Sequence, residues 1–228
     1  MVIRQRAVQA EDKQERHDAI LDAAQRLLLR SPERVANVAE VAEEALLAKG
    51  TVYLYFPSKE ELLLALHERN VDGFFRAVMG LVEGDAPVAI DDMLVLTRRY
   101  MVEPPLFLPL ASRCFALMAQ SIPAEAAAAF RQRMSDRLLR AGEGLERHFP
   151  ELGAGGGVQL LRHSYALIIG LWQMSAAGGA ACAVGSDVPP PAFAWRYEED
   201  LERALRTLWR GAIAGAAFPA ATASGAGR

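Results

Sequence analysis

Apolar residues along most of this chain recur at intervals of three and four, the spacing that lines one face of an α-helix. Ile20, Ala24, Leu27 and Leu28 form the first such stripe, which predicts a helix over about 11–29. Ser31-Pro32 stops it, because proline disfavours helix at the residue before it. Asn37 then opens a short helix with Val38, Val41, Ala42 and Ala45 as its inner face, and Glu40, three residues on, completes a capping-box pattern. Leu46, Leu47 and Ala48 separate it from a second short helix, Lys49 to about Tyr55. Pro57 ends that one. Ser58, with Glu61 as box partner, starts a long helix from Lys59 to about Val82, with Leu63, Leu66, Phe74 and Val78 along one side. Beyond the turn at 84–87, helices are expected at about 88–102, 105–120, 124–149, 158–178 and 197–216. Pro104-Pro105, Pro123, the glycine run at 153–157 and the three prolines at 189–191 punctuate them. No stretch alternates as a strand would, so the expected fold is all-α with about nine helices. The tail, 218–228, is rich in Ala, Gly and Ser and is expected to be disordered.

Composition narrows the picture. A hydrophobic fraction of 52% with only 7% aromatics suits aliphatic helix packing. The net charge is −3, and residues 1–60 hold nine basic against ten acidic side chains. That excludes a binder relying on a basic surface alone, so any nucleic-acid contact must come from a few positioned groups. Two cysteines, Cys114 and Cys182, make no disulfide framework and lack metal-ligand spacing. The opening residues contain no apolar core of a secretion signal. Residues 164–186 carry no charge, a length that could span a bilayer, yet the strongly apolar part runs only over 167–172. A buried core helix fits better, and the expectation is a cytoplasmic protein with no membrane partner.

Two short helices joined by three residues and preceded by a supporting helix have the geometry of a helix-turn-helix. The residues sharpen this. Val41-Ala42, Ala45, the block Lys49-Gly50-Thr51-Val52-Tyr53, then Tyr55-Phe56 and Ser58-Lys59-Glu60 together resemble the signature of the TetR family of regulators. The resemblance covers roughly residues 14–66. It departs at two places. Leu46 stands where that family usually has glycine, so the leucine must hold a left-handed conformation at a cost of about 1 kcal/mol or force another turn. Ala48 stands where a serine often caps the recognition helix, forfeiting about 1 kcal/mol. Leu46 and Leu47 could compensate by packing against the first helix.

The resemblance implies double-stranded operator DNA as partner, with Ala48, Lys49, Gly50, Thr51, Tyr53, Tyr55 and Lys59 as contact candidates. Their chemistry fits. Gly50 allows close backbone approach, Lys49 can reach a guanine edge or a phosphate, and Thr51 can donate to phosphate or touch a thymine methyl. Tyr53 and Tyr55 carry phenolic donors, and Lys59 adds its charge to a helix N-terminus. Val52 and Phe56 belong to the core. Tyr53 could also be a core aromatic, and Lys59 a merely solvated residue. Arg4 and Arg6 suggest either an arm into a flanking groove or a disordered tail.

Residues 158–178 are apolar nearly all round, and such a helix must be covered on both sides. With the last helix it is expected to form a homodimer interface, through Leu161, Ile168, Leu205, Leu208, Trp209 and Ala212, as the resemblance also implies. The same residues could instead be internal core. The resemblance further implies a pocket for a small apolar or amphipathic effector. Its candidates are Phe107, Arg113, Cys114, Phe115, Met118, His163, Tyr165, Trp172, Gln173 and Met174. His163 reads equally as an ordinary buried histidine. The expected organisation is a DNA-binding domain over 1–58, a connecting helix over 59–82, and a ligand-binding and dimerisation domain over 59–217.

The resulting expectation is a ligand-released, homodimeric repressor. The rival is a helical-bundle enzyme or a small-molecule binder without operator binding. Against an enzyme, no His has a Glu three residues before it, and there is neither a Gly-rich phosphate loop nor a nucleophile–base set. No catalytic residue, metal site or cofactor is expected.

Overall fold

The computed structural model describes the backbone of residues 2–31, 34–120, 122–182 and 191–215, with side chains described outside 2–11, 115–120, 176–182 and 193. Nine α-helices and no strand occur among the described residues. They are α1 (Val2–Arg30), α2 (Val38–Glu44), α3 (Lys49–Tyr55), α4 (Lys59–Val82), α5 (Ile90–Thr97), α6 (Phe107–Gln120), α7 (Ala124–His148), α8 (Gly156–Cys182) and α9 (Tyr197–Ile213). No helix among these residues is long and apolar enough to cross a membrane. The expected tail lies outside the described residues.

The chain gathers into two compact units. One comprises Met1–Val71 with Pro104–Ala128, the other Asp72–Glu103 with Ala129–Arg228. The division runs through α4 and assigns α6 to the N-terminal unit. Periodicity along the chain carries no information on such a grouping, because it reports which face of a helix is buried and not against what.

In the first unit α1 buries Ile20, Leu21, Ala23, Ala24 and Leu28, and α4 buries Leu62, Leu63, Leu64 and Leu66. Charged groups fix α2 at the rim. Arg26 donates from Nε to Glu44 Oε1 at 2.7 Å, and Arg30 donates to the other carboxylate oxygen. Those two guanidinium hydrogen bonds hold the Glu44 carboxyl below the usual range. Arg69 of α4 spans Asp22 and Gln25 of α1, each at 2.7 Å. Inside the unit His67 is 4% exposed and packs its ring 5.7 Å from that of Phe107. Burial, opposed only by the field of Glu68, pulls its pKa down to about 4.

In the second unit α8 and α9 pack along a buried polar relay. Trp209 donates from its indole to Ser164 Oγ at 2.9 Å, and Ser164 donates to the Leu160 carbonyl at 2.8 Å. Tyr197 donates to the Ile168 carbonyl at 3.1 Å. α7 and α8 touch through glycine. A Cβ on Gly157 would lie 2.3 Å from the Gly142 carbonyl oxygen, and one on Gly142 would lie 2.7 Å from the Val158 backbone nitrogen. The approach requires glycine at both positions, and α8 begins inside the glycine run, at Gly156.

Two other expectations need correction. α1 extends back to Val2, so the segment holding Arg4 and Arg6 is helical backbone and not a disordered tail; residues 2–30 contain neither Gly nor Pro and are rich in helix formers. The helix expected over 88–102 is α5 followed by a π-helical turn, Arg98–Val102, which the three-four spacing of apolar residues does not distinguish from α-helix.

Candidate nucleic-acid interface

The capping box at α2 is present in full. Asn37 Oδ1 accepts from the backbone of Ala39 at 2.9 Å and Glu40 at 3.1 Å, while Glu40 Oε2 accepts from the Asn37 N–H at 2.8 Å. α2 then ends on a paired backbone motif. The Leu46 N–H donates to the Glu43 carbonyl at 3.1 Å and the Leu47 N–H to the Ala42 carbonyl at 2.9 Å. These two bonds define a Schellman ending, whose first residue beyond the helix must be left-handed. Leu46 fills that position with φ 56°, the one non-glycine residue with positive φ among the described residues. Its side chain is 93% exposed, which overturns the expectation that Leu46 packs against the first helix. Leu47 is half-buried.

α3 starts from Ala48, which is extended and provides no side-chain cap. Val52, fully buried, and Phe56, 4% exposed, hold this seven-residue helix from behind. At about 100° per residue, Lys49, Gly50, Tyr53 and Leu54 share one arc of its surface. All four are exposed. Nothing lies within 4 Å of a Cβ built on Gly50. The Lys49 ammonium sits 5.8 Å from the centre of the Tyr53 ring, so the charge lies over the phenol's π face. Thr51 and Tyr55 fall on the other flank and are half-buried; the Tyr55 ring stands 6.5 Å from that of His17 on α1. Leu54, at 84% exposure, was not among the candidates because leucine reads as core in a periodicity argument. Its position two residues after buried Val52 was the signal that placed it outside.

At the start of α4, Ser58 Oγ accepts from the Glu61 N–H at 3.1 Å, as the capping pattern implies. Lys59 is exposed, with its ammonium 3.8 Å from Glu60 Oε1. Glu60 and Glu61 already bring carboxylates to this first turn.

The remaining candidates are distributed as follows. Phe107 and Cys114 are buried in the first unit; the Cys114 thiol lies 3.7 Å from the Leu63 carbonyl, and burial pushes its pKa up to about 12. Arg113 is half-buried there, while the side chains of Phe115 and Met118 lie outside the described residues. In the second unit Tyr165 and Trp172 are half-buried, and His163, Gln173 and Met174 are exposed on α8. His163 is therefore not the buried histidine considered from sequence: it stands one residue from exposed Arg162, on the solvent arc of the helix. A groove of about 470 Å³ between α5 and α9, floored by buried Leu201 and Leu205 and edged by Val95, Arg98, Glu198 and Arg206, includes none of the ten. Of the six dimer candidates, Leu161, Ile168, Leu205, Trp209 and Ala212 are buried within the single chain, and Leu208 is half-buried.

A capped two-helix turn carried on a supporting helix, with one arc of its second helix open, defines a helix-turn-helix protein. Residues 20–66 match the family described as bacterial regulatory proteins, tetR family, and residues 68–216 match the tetracyclin repressor-like C-terminal domain. The chain belongs to the TetR family of bacterial regulatory proteins. It is 34% identical over 74 residues to the HTH-type transcriptional regulator YuxN of Bacillus subtilis (strain 168), covering 32% of this chain and 25% of that protein. It is 26% identical over 88 residues to the fatty acid metabolism regulator protein of the same organism, covering 39% of this chain and 45% of that one. The chain thus spans less than half the length of either relative. A crystal structure described as a TetR-family transcriptional regulator from Mesorhizobium loti superposes with a TM-score of 0.49 at 17% identity, covering 85% of this chain and 96% of that one.

Proposed function

We propose that the protein is a cytoplasmic repressor that binds a palindromic operator as a homodimer and is released by a small apolar or amphipathic effector. The observation that carries this reading is the open arc of α3, where Lys49, Gly50 and Tyr53 are exposed together on a helix pinned by Val52 and Phe56. Lys49 and Tyr53 are the groups for base edges and phosphate in the major groove, with Gly50 leaving room for the backbone to approach. Ala48, exposed at the helix start, fits the same approach. Thr51, Tyr55 and Lys59 suit flanking phosphates. The functional division runs at residue 58, with 59–217 sensing and dimerising and α4 connecting the two.

The solvent arc of α8 supports dimerisation. His163, Ala166, Gly170, Gln173 and Met174 lie on it at three- and four-residue spacing, mostly small or uncharged, opposite the buried line of Leu160, Leu161, Ser164 and Ile168. A second copy packed there through its own α8, with Leu208 of α9 at the border, makes an isologous interface. Two α3 helices about 34 Å apart then read two half-sites. The effector must bind the DNA-incompetent state more tightly, and a coupling of about 1–3 kcal/mol weakens operator binding about 5- to 150-fold. Tyr165 and Trp172 of the second unit keep partly accessible side chains and remain its candidate contacts.

Selection of bound sites from random DNA tests the reading. An enriched inverted repeat, bound by two chains in sedimentation analysis, is the expected result. Absence of enrichment, or a single half-site bound by one chain, refutes it. Gly170→Arg should yield monomers with weakened operator binding.

A further inference from the structure

Leu54 is the residue of α3 that the contact reading does not use. A lone exposed leucine is ordinary on a protein surface and needs no explanation. This one is different in its placement. It shares the open arc of a seven-residue helix with Lys49, Gly50 and Tyr53, at 84% exposure, beside a glycine whose Cβ position is bare. The cation on that arc, Lys49, leans over the Tyr53 ring, so the side of the arc formed by Gly50 and Leu54 carries no side-chain donor or acceptor.

We infer that Leu54 is a specificity-determining residue that reads the 5-methyl group of thymine in each half-site. The inference rests on α3 entering the major groove. In that groove every base edge presents donors and acceptors, and the one apolar group is the thymine methyl. A leucine set against any other edge strips water from a polar atom and returns no hydrogen bond. Against thymine it buries one methyl with its own branched end, which corresponds to about 4-fold in affinity per contact. Two symmetry-related contacts give roughly 15-fold. Lys49 and Tyr53 then supply hydrogen bonds, and Leu54 decides which pair can face them.

The test uses the full-length protein and the site it selects from random DNA. Each thymine is replaced in turn by deoxyuridine, which removes the methyl and keeps every hydrogen-bonding atom, and affinity is read by fluorescence anisotropy at fixed salt. The expected result is one position per half-site where the replacement weakens binding about 4-fold, or roughly 15-fold when both are replaced. Leu54→Ala, which retains the wild-type melting temperature, loses that penalty and keeps its discrimination elsewhere. Leu54→Gln shifts the selected base at the same position towards adenine, whose N6 and N7 match a side-chain amide. A selected site at which no deoxyuridine replacement matters, or an unchanged penalty in Leu54→Ala, overturns the inference while leaving DNA binding intact. Failure to select any site overturns both.

Discussion

Leu46 allows a backbone penalty to be measured almost free of packing effects. It occupies the left-handed position of the α2 ending at φ 56°, and its side chain is 93% exposed. A non-glycine residue there gives up about 1–2 kcal/mol relative to right-handed backbone. Glycine removes that penalty but gains freedom in the unfolded chain, which costs about 0.5–1 kcal/mol. The apolar surface lost by truncating a side chain so exposed is negligible. Leu46→Gly should therefore stabilise by about 0.5–1 kcal/mol, about 1–4 °C in Tm for a chain of this size. Leu46→Asn, which tolerates the conformation without the entropic cost, should do at least as well. Leu46→Ala should be close to neutral, since it keeps the Cβ responsible for the strain. Denaturant unfolding is best followed by far-UV circular dichroism, because all three tryptophans, Trp172, Trp195 and Trp209, belong to the other compact unit. Stabilisation by alanine equal to that by glycine would show that hydrophobic exposure and not backbone strain governs the site. Destabilisation by glycine would refute the left-handed assignment.

His67 is kept neutral by burial, with a folded pKa of about 4 against an ordinary value of 6.5. Between these values the unfolded chain takes up a proton that the folded chain refuses, so stability is full above about pH 6.5 and falls towards pH 4, by up to about 3 kcal/mol; His67→Leu should flatten that limb of the stability–pH curve. Asn37→Ala removes the acceptor for two backbone donors of α2 and should cost about 1 kcal/mol, read from the shift in denaturation midpoint. Gly157→Ala drives a Cβ to 2.3 Å from a backbone oxygen of α7, which no rotamer can relieve, and should cost about 1–3 kcal/mol or more in the same assay.

What could be read from residues alone was what local chemistry decides. Asn37 with Glu40 and Ser58 with Glu61 placed two helix starts, because an N-cap acts on donors within the next three residues. Leu46 stands out only through the family resemblance, which puts glycine there and leaves either a left-handed leucine or another turn; the α2 ending takes the first. The π-helical turn at Arg98–Val102 was not legible, since one additional residue in a helical ring leaves the apolar spacing almost intact. The start of α8 inside a glycine run was equally hidden: glycine looks like a breaker until the partner backbone at Gly142 is known.

The sharpest limit concerns α8 itself. A helix apolar all round announces that both sides are covered, but periodicity offers no phase to tell the two covers apart. Leu161 and Ile168 are the more hydrophobic residues and so attract the interface assignment, yet they lie 5% and 2% exposed within one chain. The protomer's own core takes the largest side chains, because a folded unit must bury them before a second copy arrives. The dimer interface proposed above is left with Ala166, Gly170, Gln173 and Met174, residues small or flexible enough to be tolerated in water. A carboxylate introduced on each side should separate the roles: Ala166→Glu should split the proposed dimer while leaving each chain folded, whereas Ile168→Glu should unfold the chain itself. If Ala166→Glu left the dimer intact, the solvent arc of α8 would not be the interface.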